Sequence, residues 1–333
     1  MEIFIFGILF GLIISYANLN KFNTISGLSV LKDYSVAKSI LVAIGLGIIL
    51  LNIEIEFGFA SYHIKPLIFG GLTIGGLLFG AGMSILGYCP GTLAVSLGEG
   101  SIDALIGIIG GLFGGFVFTL LLPYINYILG PNIGNVSVNT LIKSKLFFNL
   151  VFIIIGLVFI WLSFFLHKKE KIKKDYKWLI SGIALAILNI IVFLSSTTNR
   201  PIGASTSYPY LSDFLTGFTK NSYFIKIEKP GNWELIFLFG ALLSGLILSI
   251  IKKEFKFKLI HKNWEFYKGS SKLKRIIWSF IGGFILIFGA RMAGGCTSGH
   301  ILSGGMQLAV SSLIFAVFVF IGLLFTGKIF YKK

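Results

Sequence analysis

Long runs of apolar residues, separated by short polar stretches, dominate the 333-residue chain. Runs such as 146–166 and 307–327 are long enough to cross a hydrocarbon core of about 30 Å. Hydrocarbon offers the backbone no hydrogen-bond partners, and the runs lack the period-2 alternation of β-barrel strands, so each run is predicted to be a helix. Nine segments are predicted, near 2–17, 37–52, 66–86, 104–122, 146–166, 178–195, 234–251, 276–290 and 307–327. The predicted fold class is therefore all-α, a polytopic membrane protein.

The number and position of the charged residues support this fold class and predict the orientation of the chain in the membrane. Hydrophobic residues make up 55% of the chain and charged residues only 13%, yet the net charge is +16. Basic loops beside transmembrane ends are typical of a cytoplasmic face and also attract anionic lipid. The lysines of the loops 167–177 and 252–275 and of the C-terminal tail include Lys168, Lys169, Lys171, Lys173, Lys174, Lys262, Lys274, Lys328, Lys332 and Lys333. We predict an inner-membrane protein with its N-terminus outside and its C-terminus cytoplasmic, and we expect no nucleic-acid partner.

Four stretches between the apolar segments are rich in Gly, Ser, Thr, Asn and Pro but also contain short apolar pieces. They are 18–36, 87–103, 196–231 and 291–306. Irregular backbone at membrane depth is tolerated only where it is buried in protein or lines a watery cavity. Several of these stretches are therefore predicted to be short or re-entrant helices. Ordinary surface loops remain the alternative for 18–36 and 196–231.

Segment 74–98 recurs as segment 281–305, at an offset of 207 residues. Both cysteines of the chain fall at the same place in the repeat. The identical pairs are Ile74/Ile281, Gly75/Gly282, Gly76/Gly283, Gly82/Gly289, Gly87/Gly294, Cys89/Cys296 and Gly98/Gly305. Self-similarity at a fixed offset indicates an internal repeat.

The predicted topology gives the two copies opposite directions across the membrane. Inverted repeats with glycine-interrupted segments in matching positions typically place a transporter site near the bilayer midplane. The predicted division of a single membrane domain, 1–333, is a first half at 1–122, a linking helix at 146–166 and a second half at 178–327.

The two cysteines lie among glycine, proline and hydroxyl residues. Glycine allows close backbone approach, and N–H groups at a helix start bind anions without a charge in the membrane. A thiol is a weak donor and a soft partner, so such a path suits a small anion, especially one with a terminal sulfur or selenium. The predicted pathway residues here are Gly87, Cys89, Pro90, Gly91, Thr92, Gly294, Gly295, Cys296, Thr297, Ser298 and Gly299.

Two ionisable residues, Arg291 and His300, flank the second cysteine. An arginine in a membrane segment is costly unless it serves a site or reaches the interface, so substrate contact and an interfacial or structural role are equally supported. His300 is a weaker candidate. The cysteines and histidines lack the ligand spacing of a zinc site, and no P-loop sequence is present, so no metal or other cofactor is expected.

The motifs GMSILGYCPGT at 82–92 and GARMAGGCTSGH at 289–300 resemble the YeeE/YedE sulfur-transport family, as does the hydropathy along nearly the whole chain. The resemblance implies an hourglass-like inverted repeat that conducts thiosulfate past cysteines through weak S–H contacts. RPIGASTSYPY at 200–210 also resembles the family, which implies that Ser205, Thr206 and Ser207 lie near the path. Some members use a further cysteine that this chain lacks, so either two thiols suffice or a hydroxyl substitutes.

The family often works with a small cytoplasmic sulfurtransferase of the TusA type, which is therefore an expected partner. The leading hypothesis is uptake of thiosulfate by a transporter rather than an enzyme. The alternatives are transport of another sulfur or selenium species, a membrane sulfur-transferase that passes persulfide between thiols, and a scaffold that recruits a sulfur carrier.

Overall fold

Each of the nine predicted apolar segments forms a helix in the computed structural model, which describes residues 1–170 and 175–332. The helices are α1 (Glu2–Tyr16), α2 (Phe22–Ser29), α3 (Ser35–Glu56), α4 (Phe69–Leu86), α5 (Pro90–Gly98), α6 (Ile102–Leu129), α7 (Val138–Leu141), α8 (Lys145–Lys169), α9 (Lys177–Phe193), α10 (Ser207–Leu215), α11 (Ser222–Ile251), α12 (Lys262–Lys268), α13 (Lys272–Met292), a π-helix (Thr297–Gly304) and α14 (Val310–Phe330). Lys171, Lys173, Lys174 and Lys333, named above as basic-loop and tail residues, lie outside the described residues.

Seven candidate membrane spans, which are long and apolar enough to cross a bilayer, occur within the described ranges. They are α3, α4 together with α5, α6, α8, α11, α13 and α14. The apolar helices α1 and α9 have only 15 and 17 residues, so their crossing of the membrane stays a prediction. The protein is a polytopic all-α membrane protein, as predicted.

The predicted start of the seventh segment, at 234, is wrong. Helix α11 begins at Ser222, where the side chain of Asn221 caps it by accepting the N–H of Phe224 at 2.7 Å. The added turns contain charged residues such as Lys226 and include Pro230 within the helix. A hydropathy pattern detects apolar side chains and not backbone hydrogen bonding, so it misses this polar end of the helix.

Short helices lie within all four of the polar stretches that separate the apolar segments. Stretch 18–36 contains α2, 87–103 contains α5, 196–231 contains α10, and 291–306 contains the π-helix. Helix α2 is almost wholly buried, and α10 is largely so. The surface-loop alternative for the first and third stretches is therefore wrong for their helical parts.

The contacts between helices occur in pairs, with one contact of each pair equivalent to the other. Helix α4 packs on α14, and α13 packs on α6. Helix α1 packs on α11, and α9 packs on α3. Helix α5 packs on α11, and the π-helix packs on α3. If α1, α2, α3, α4, α5 and α6 correspond in that order to α9, α10, α11, α13, the π-helix and α14, the two contacts named together in each case are equivalent. This pattern supports a repeat of six elements on either side of α8, while the opposite orientation of the halves stays a prediction.

The contact between α4 and α13 depends on repeated glycines. A Cβ at Gly75 would lie 2.6 Å from the carbonyl oxygen of Gly289, and a Cβ at Gly82 would lie 2.9 Å from that of Gly282. These two contacts are each other's counterparts under the 207-residue offset. Small residues let the two backbones approach closely, which is the usual basis of tight helix pairs in membranes.

Candidate functional site

Each cysteine lies at the N-terminus of a short helical element. Cys89 is the N-cap of α5, and Cys296 is the N-cap of the π-helix. A glycine with positive φ precedes each of them, Gly87 at +81° and Gly294 at +74°. Left-handed backbone reverses the chain at these points, so each short helix directs its N-terminal N–H groups back into the protein.

Thr92 fixes the backbone at the first cysteine. The N–H of Cys89 donates to Thr92 Oγ1 at 2.9 Å, and the Thr92 hydroxyl lies 3.1 Å from the Cys89 carbonyl oxygen and 3.4 Å from Cys89 Sγ. Pro90 occupies the first helical position, where a missing N–H costs nothing. The thiol is therefore held at the start of α5 next to a hydroxyl group.

The two short helical elements meet. The Thr297 side chain is within hydrogen-bonding reach of the Cys89 thiol. A Cβ added to Gly91 would lie 3.6 Å from Ser298 Oγ. Both thiols are unpaired, and Cys296 is buried with 1% exposure. The structure thus brings the predicted pathway residues of the two motifs together.

A cavity of about 470 Å³ adjoins this meeting point. Its polar inner end is formed by Cys89, Thr92, Thr297, Ser298 and Ser312. The rest of its wall is made almost entirely of apolar side chains from α1, α2, α3, α8 and α14.

Arg291, at the end of α13, is buried, and its Nε and Nη1 groups contact polar side chains. Its Nε donates to the Tyr223 hydroxyl at 2.7 Å, and its Nη1 donates to Ser205 Oγ at 3.2 Å and Thr206 Oγ1 at 3.1 Å. Two of the three hydroxyl residues predicted near the path therefore contact the predicted arginine. All three of these partners are neutral, so the positive charge of Arg291 is not cancelled by them.

Lys65, between α3 and α4, approaches the same region from the other side. Its ammonium group donates to the carbonyl oxygen of Gly294, and a Cβ at Gly295 would lie 2.5 Å from Lys65 Nζ. Burial, with a further contribution from the nearby Arg291 charge, lowers the pKa of Lys65 to about 8. At neutral pH the ammonium is therefore charged and lies beside the turn that leads to Cys296.

A carboxylate organises the segment before α10. Glu234 Oε2 accepts the N–H of Thr206 at 2.6 Å, and Glu234 Oε1 lies 3.7 Å from Arg200 Nη2. The Arg200 guanidinium stacks over the Trp233 ring at 4.3 Å. With Lys65 and Arg291, this described cluster holds three cationic side chains against one carboxylate, a net of two positive charges. It is suited to attract an anion.

Two predicted site residues make hydrogen bonds that stabilise local structure. The buried ring of His300 has Nε2 at 2.8 Å from the Ala293 carbonyl oxygen, which fixes Nε2 as the N–H donor, and Nδ1 at 3.1 Å from the Ser312 hydroxyl. His300 thus holds the turn that precedes Cys296. Ser207 donates to the Ala204 carbonyl at 2.8 Å and stabilises the start of α10.

Sequence reasoning missed Lys65, Arg200 and Glu234. Lys65 resembles any lysine in a short loop, and nothing near it in the sequence signals its position. Glu234 carried a usable signal, because an acidic residue in an apolar helix is costly and marks a functional or paired site. Tyr208, whose hydroxyl donates to the Pro90 carbonyl at 3.2 Å, lies within the motif at 200–210 but was passed over.

Among the described residues, no group of three or more His, Cys, Asp or Glu side chains is arranged to hold a metal ion.

The chain is similar in sequence to known proteins over nearly its full length. The profile of a family described as sulphur transport matches residues 21–325. The thiosulfate transporter TsuA of Spirochaeta thermophila is 27% identical over 330 residues, which cover 95% of this chain and 94% of that protein. The matched range contains both cysteine motifs and the cationic cluster.

Proposed function

Because the chain belongs to the sulphur transport family, we propose that it carries thiosulfate across the membrane along a route past Cys89 and Cys296. The similarity to a thiosulfate transporter along 95% of the chain supports this substrate. The observation that carries the proposal is the meeting of two helix N-termini, each of which begins with a free thiol. No other described part of the chain combines thiols, hydroxyls and helix N-termini in this way.

The proposed route begins at the cationic cluster of Lys65, Arg200 and Arg291. Its net positive charge raises the local concentration of a dianion, as clefts lined by one sign of charge do. The anion then passes to the thiols, where S–H, O–H and N–H donors contact it. Weak donors suit transport, because a permeant ion must bind strongly enough to enter and weakly enough to leave.

Uptake of radiolabelled thiosulfate into proteoliposomes tests the proposal. Cys89→Ala and Cys296→Ala are each expected to lower uptake at least tenfold, since each removes one contact on the route. Ser163→Ala, a change of similar size on α8, is the matched control and should transport like the parent. Full uptake by both cysteine variants would overturn the thiol route, and the absence of uptake by the parent would overturn transport itself.

The substrate is proposed to cross unchanged, without an enzymatic step. Competition by sulfate, selenite and thiosulfate in the same assay ranks the anions, and thiosulfate should compete best. Thiosulfate recovered intact from the liposome interior supports transport without chemistry. Persulfide on either cysteine, found by mass spectrometry after turnover, would instead identify a sulfur-transferase.

The membrane, the orientation of the chain in it and the partner protein are also proposed. We place the chain in the inner membrane with its N-terminus outside, and we propose that a cytoplasmic sulfurtransferase of the TusA type consumes the incoming sulfur. The basic loops and tail support this orientation. Uptake in whole cells with and without the sulfurtransferase tests the partner, because the transported sulfur should accumulate only when its consumer is absent.

The proposed architecture behind the route is an inverted repeat, with halves at 1–122 and 178–327 and a linking helix at 146–166. The paired helix contacts and the reciprocal glycine contacts support it. In this arrangement the two thiols lie at related depths near the midplane, which is where transporters with inverted repeats bind their substrates.

A further inference from the structure

The apolar cavity next to Cys89 is much larger than the space around its thiol group. It has a volume of about 470 Å³ and lies between two helix pairs, α3 with α8 and α14 with α4. Apart from the hydroxyl and thiol groups at its inner end, its wall is apolar. A dianion inside it would find no donors, so the body of the cavity is not suited to thiosulfate.

The cavity is open to the bilayer side of the protein. Leu31, Leu313 and Phe320 line it and are also 53%, 39% and 40% exposed. Helices α8 and α14, which form much of this side, are candidate membrane spans with little of their surface buried. A hydrocarbon chain from the surrounding membrane is therefore the occupant whose chemistry and position match the cavity.

Charge gathers at one rim of the same cavity. Lys32, which follows the lining residue Leu31, donates to the Tyr267 hydroxyl at 2.8 Å, and Lys169 lies three residues after the lining residue Leu166; both lysines are exposed. The N–H of Tyr34 donates to Glu170 Oε1 at 3.1 Å, which joins the start of α3 to the end of α8 at this rim. The Glu170 carboxylate is paired with buried Lys38. The Asp33 carboxylate, next to Lys32, accepts the N–H of Ser35 at 2.9 Å, so Lys32, Asp33 and Lys169 together carry one net positive charge.

We propose that one anionic phospholipid binds here, with an acyl chain in the cavity up to Cys89 and its headgroup between Lys32 and Lys169. Apolar burial provides the binding of the chain, and the lysines favour an anionic headgroup over a zwitterionic one. The charge pattern predicts this rim to be cytoplasmic, so the lipid belongs to the inner leaflet. Filled in this way, the cavity gives water no direct passage from the thiols to that face.

Native mass spectrometry of the full chain, released from nanodiscs of mixed phosphatidylglycerol and phosphatidylcholine, tests the proposal. The parent should retain one phosphatidylglycerol molecule. Ala316→Phe fills the cavity and should lower retention at least fivefold, whereas Val317→Phe, the adjacent bilayer-facing position, should not. Lys32→Gln with Lys169→Gln should remove the preference for phosphatidylglycerol. A parent that retains no phospholipid, or an Ala316→Phe variant that retains it fully, would contradict the proposal.

A second measurement needs no variant. A phosphatidylglycerol with a photoreactive group at the end of its acyl chain should form adducts within 159–166 and 316–324, and with residues next to Cys89. Adducts spread evenly over the bilayer-facing helices would overturn the proposal. Thiosulfate uptake is not a readout in either experiment, so the lipid site and the proposed transport can fail independently.

Discussion

Gly87 and Gly91 lie on either side of the first thiol, but they meet different steric demands. Gly87 has φ of +81°, and an added Cβ would lie 2.2 Å from the buried ring of Phe22. Gly91 has helical backbone, and its Cβ would make ordinary contacts at 3.4 Å with the Phe10 ring and at 3.6 Å with Ser298 Oγ. Gly87 is therefore required by the fold. Gly91 leaves space between α5 and the π-helix, where the two short helices meet.

Gly87→Ala is expected to destabilise the protein, by about 1–3 kcal/mol for the left-handed backbone alone. The clash with Phe22 adds to that cost. Gly91→Ala should leave the melting temperature within a few degrees of the parent but reduce thiosulfate uptake, because the methyl group narrows the gap to Ser298. Thermal unfolding in detergent and proteoliposome uptake separate the two effects. Equal loss of stability in both variants would contradict the distinction.

Lys65 is expected to make uptake sensitive to pH. Its pKa of about 8 means that the ammonium is charged below that pH and neutral above it. Uptake at low substrate concentration should therefore fall as the outer pH rises from about 7 to 9, since the cationic cluster loses one of its charges. Initial rates measured across this range, with a fixed inner pH, check the expectation.

Two substitutions at Lys65 control for other titrating groups. Lys65→Arg keeps a charge at every pH in the range, so the decline should disappear. Lys65→Met should give low uptake with no decline between pH 7 and 9. A decline that persists in both variants would assign the pH dependence to another group.

At the scale of single elements, a buried polar cluster holds the turn between α4 and α5. The Tyr88 hydroxyl lies 3.2 Å from Asp103 Oδ2 and 3.1 Å from His261 Nε2. Arg275 pairs with Asp103 at 2.5 Å and donates to the carbonyl oxygen of Leu86, at the end of α4. The cluster therefore joins α4, α6 and α13 and fixes the residue directly before Cys89.

Loss of the Tyr88 hydroxyl should loosen Cys89. In a Cys296→Ala background, where Cys89 is the only thiol, Tyr88→Phe is expected to raise the rate of maleimide labelling several-fold. Tyr331→Phe is the matched control, because the Tyr331 hydroxyl donates to the Ser84 carbonyl, in the last turn of α4, and not to the groups that contact Tyr88. Each change should cost about 1 kcal/mol of stability. Equal labelling rates in the two variants would show that the cluster does not position Cys89.

Helices could be predicted from the sequence wherever apolar side chains mark them. All nine long segments and the short pieces in the polar stretches follow from that pattern. The polar start of α11 and the π-type hydrogen bonding of the helix after Cys296 did not follow, because both depend on backbone hydrogen bonding that hydropathy does not record. The convergence of the two cysteines could be anticipated, since the repeat places them at equivalent positions.

The cationic cluster belongs to the scale of the whole molecule, and the sequence did not predict it. Lys65 and Arg291 are 226 positions apart, and only the packing of α4 on α13 brings them together. No periodicity or motif connects them. Long-range contacts between single charges leave no local trace, whereas a repeat does.

The inverted repeat can be tested directly by membrane topology. In a Cys89→Ala, Cys296→Ala background, cysteines introduced at Lys169 and Lys262 should be protected from impermeant maleimide in intact cells. Cysteines introduced at Ser61 and Asn132 should be labelled, because the predicted topology places them outside. Labelling of Lys169 and Lys262 from opposite sides would rule out the inverted relation of the halves.

The two copies of the repeat have diverged at the position before each thiol. Tyr88 corresponds to Gly295 under the 207-residue offset, and the end of the Lys65 side chain lies where a side chain at Gly295 would begin. The position before Cys89 therefore holds a buried aromatic side chain. At the position before Cys296, the corresponding space is taken by the titratable ammonium group of Lys65, which comes from a distant loop. The two ends of the proposed route therefore differ chemically. Right-side-out and inside-out vesicles should consequently respond to alkaline medium unequally.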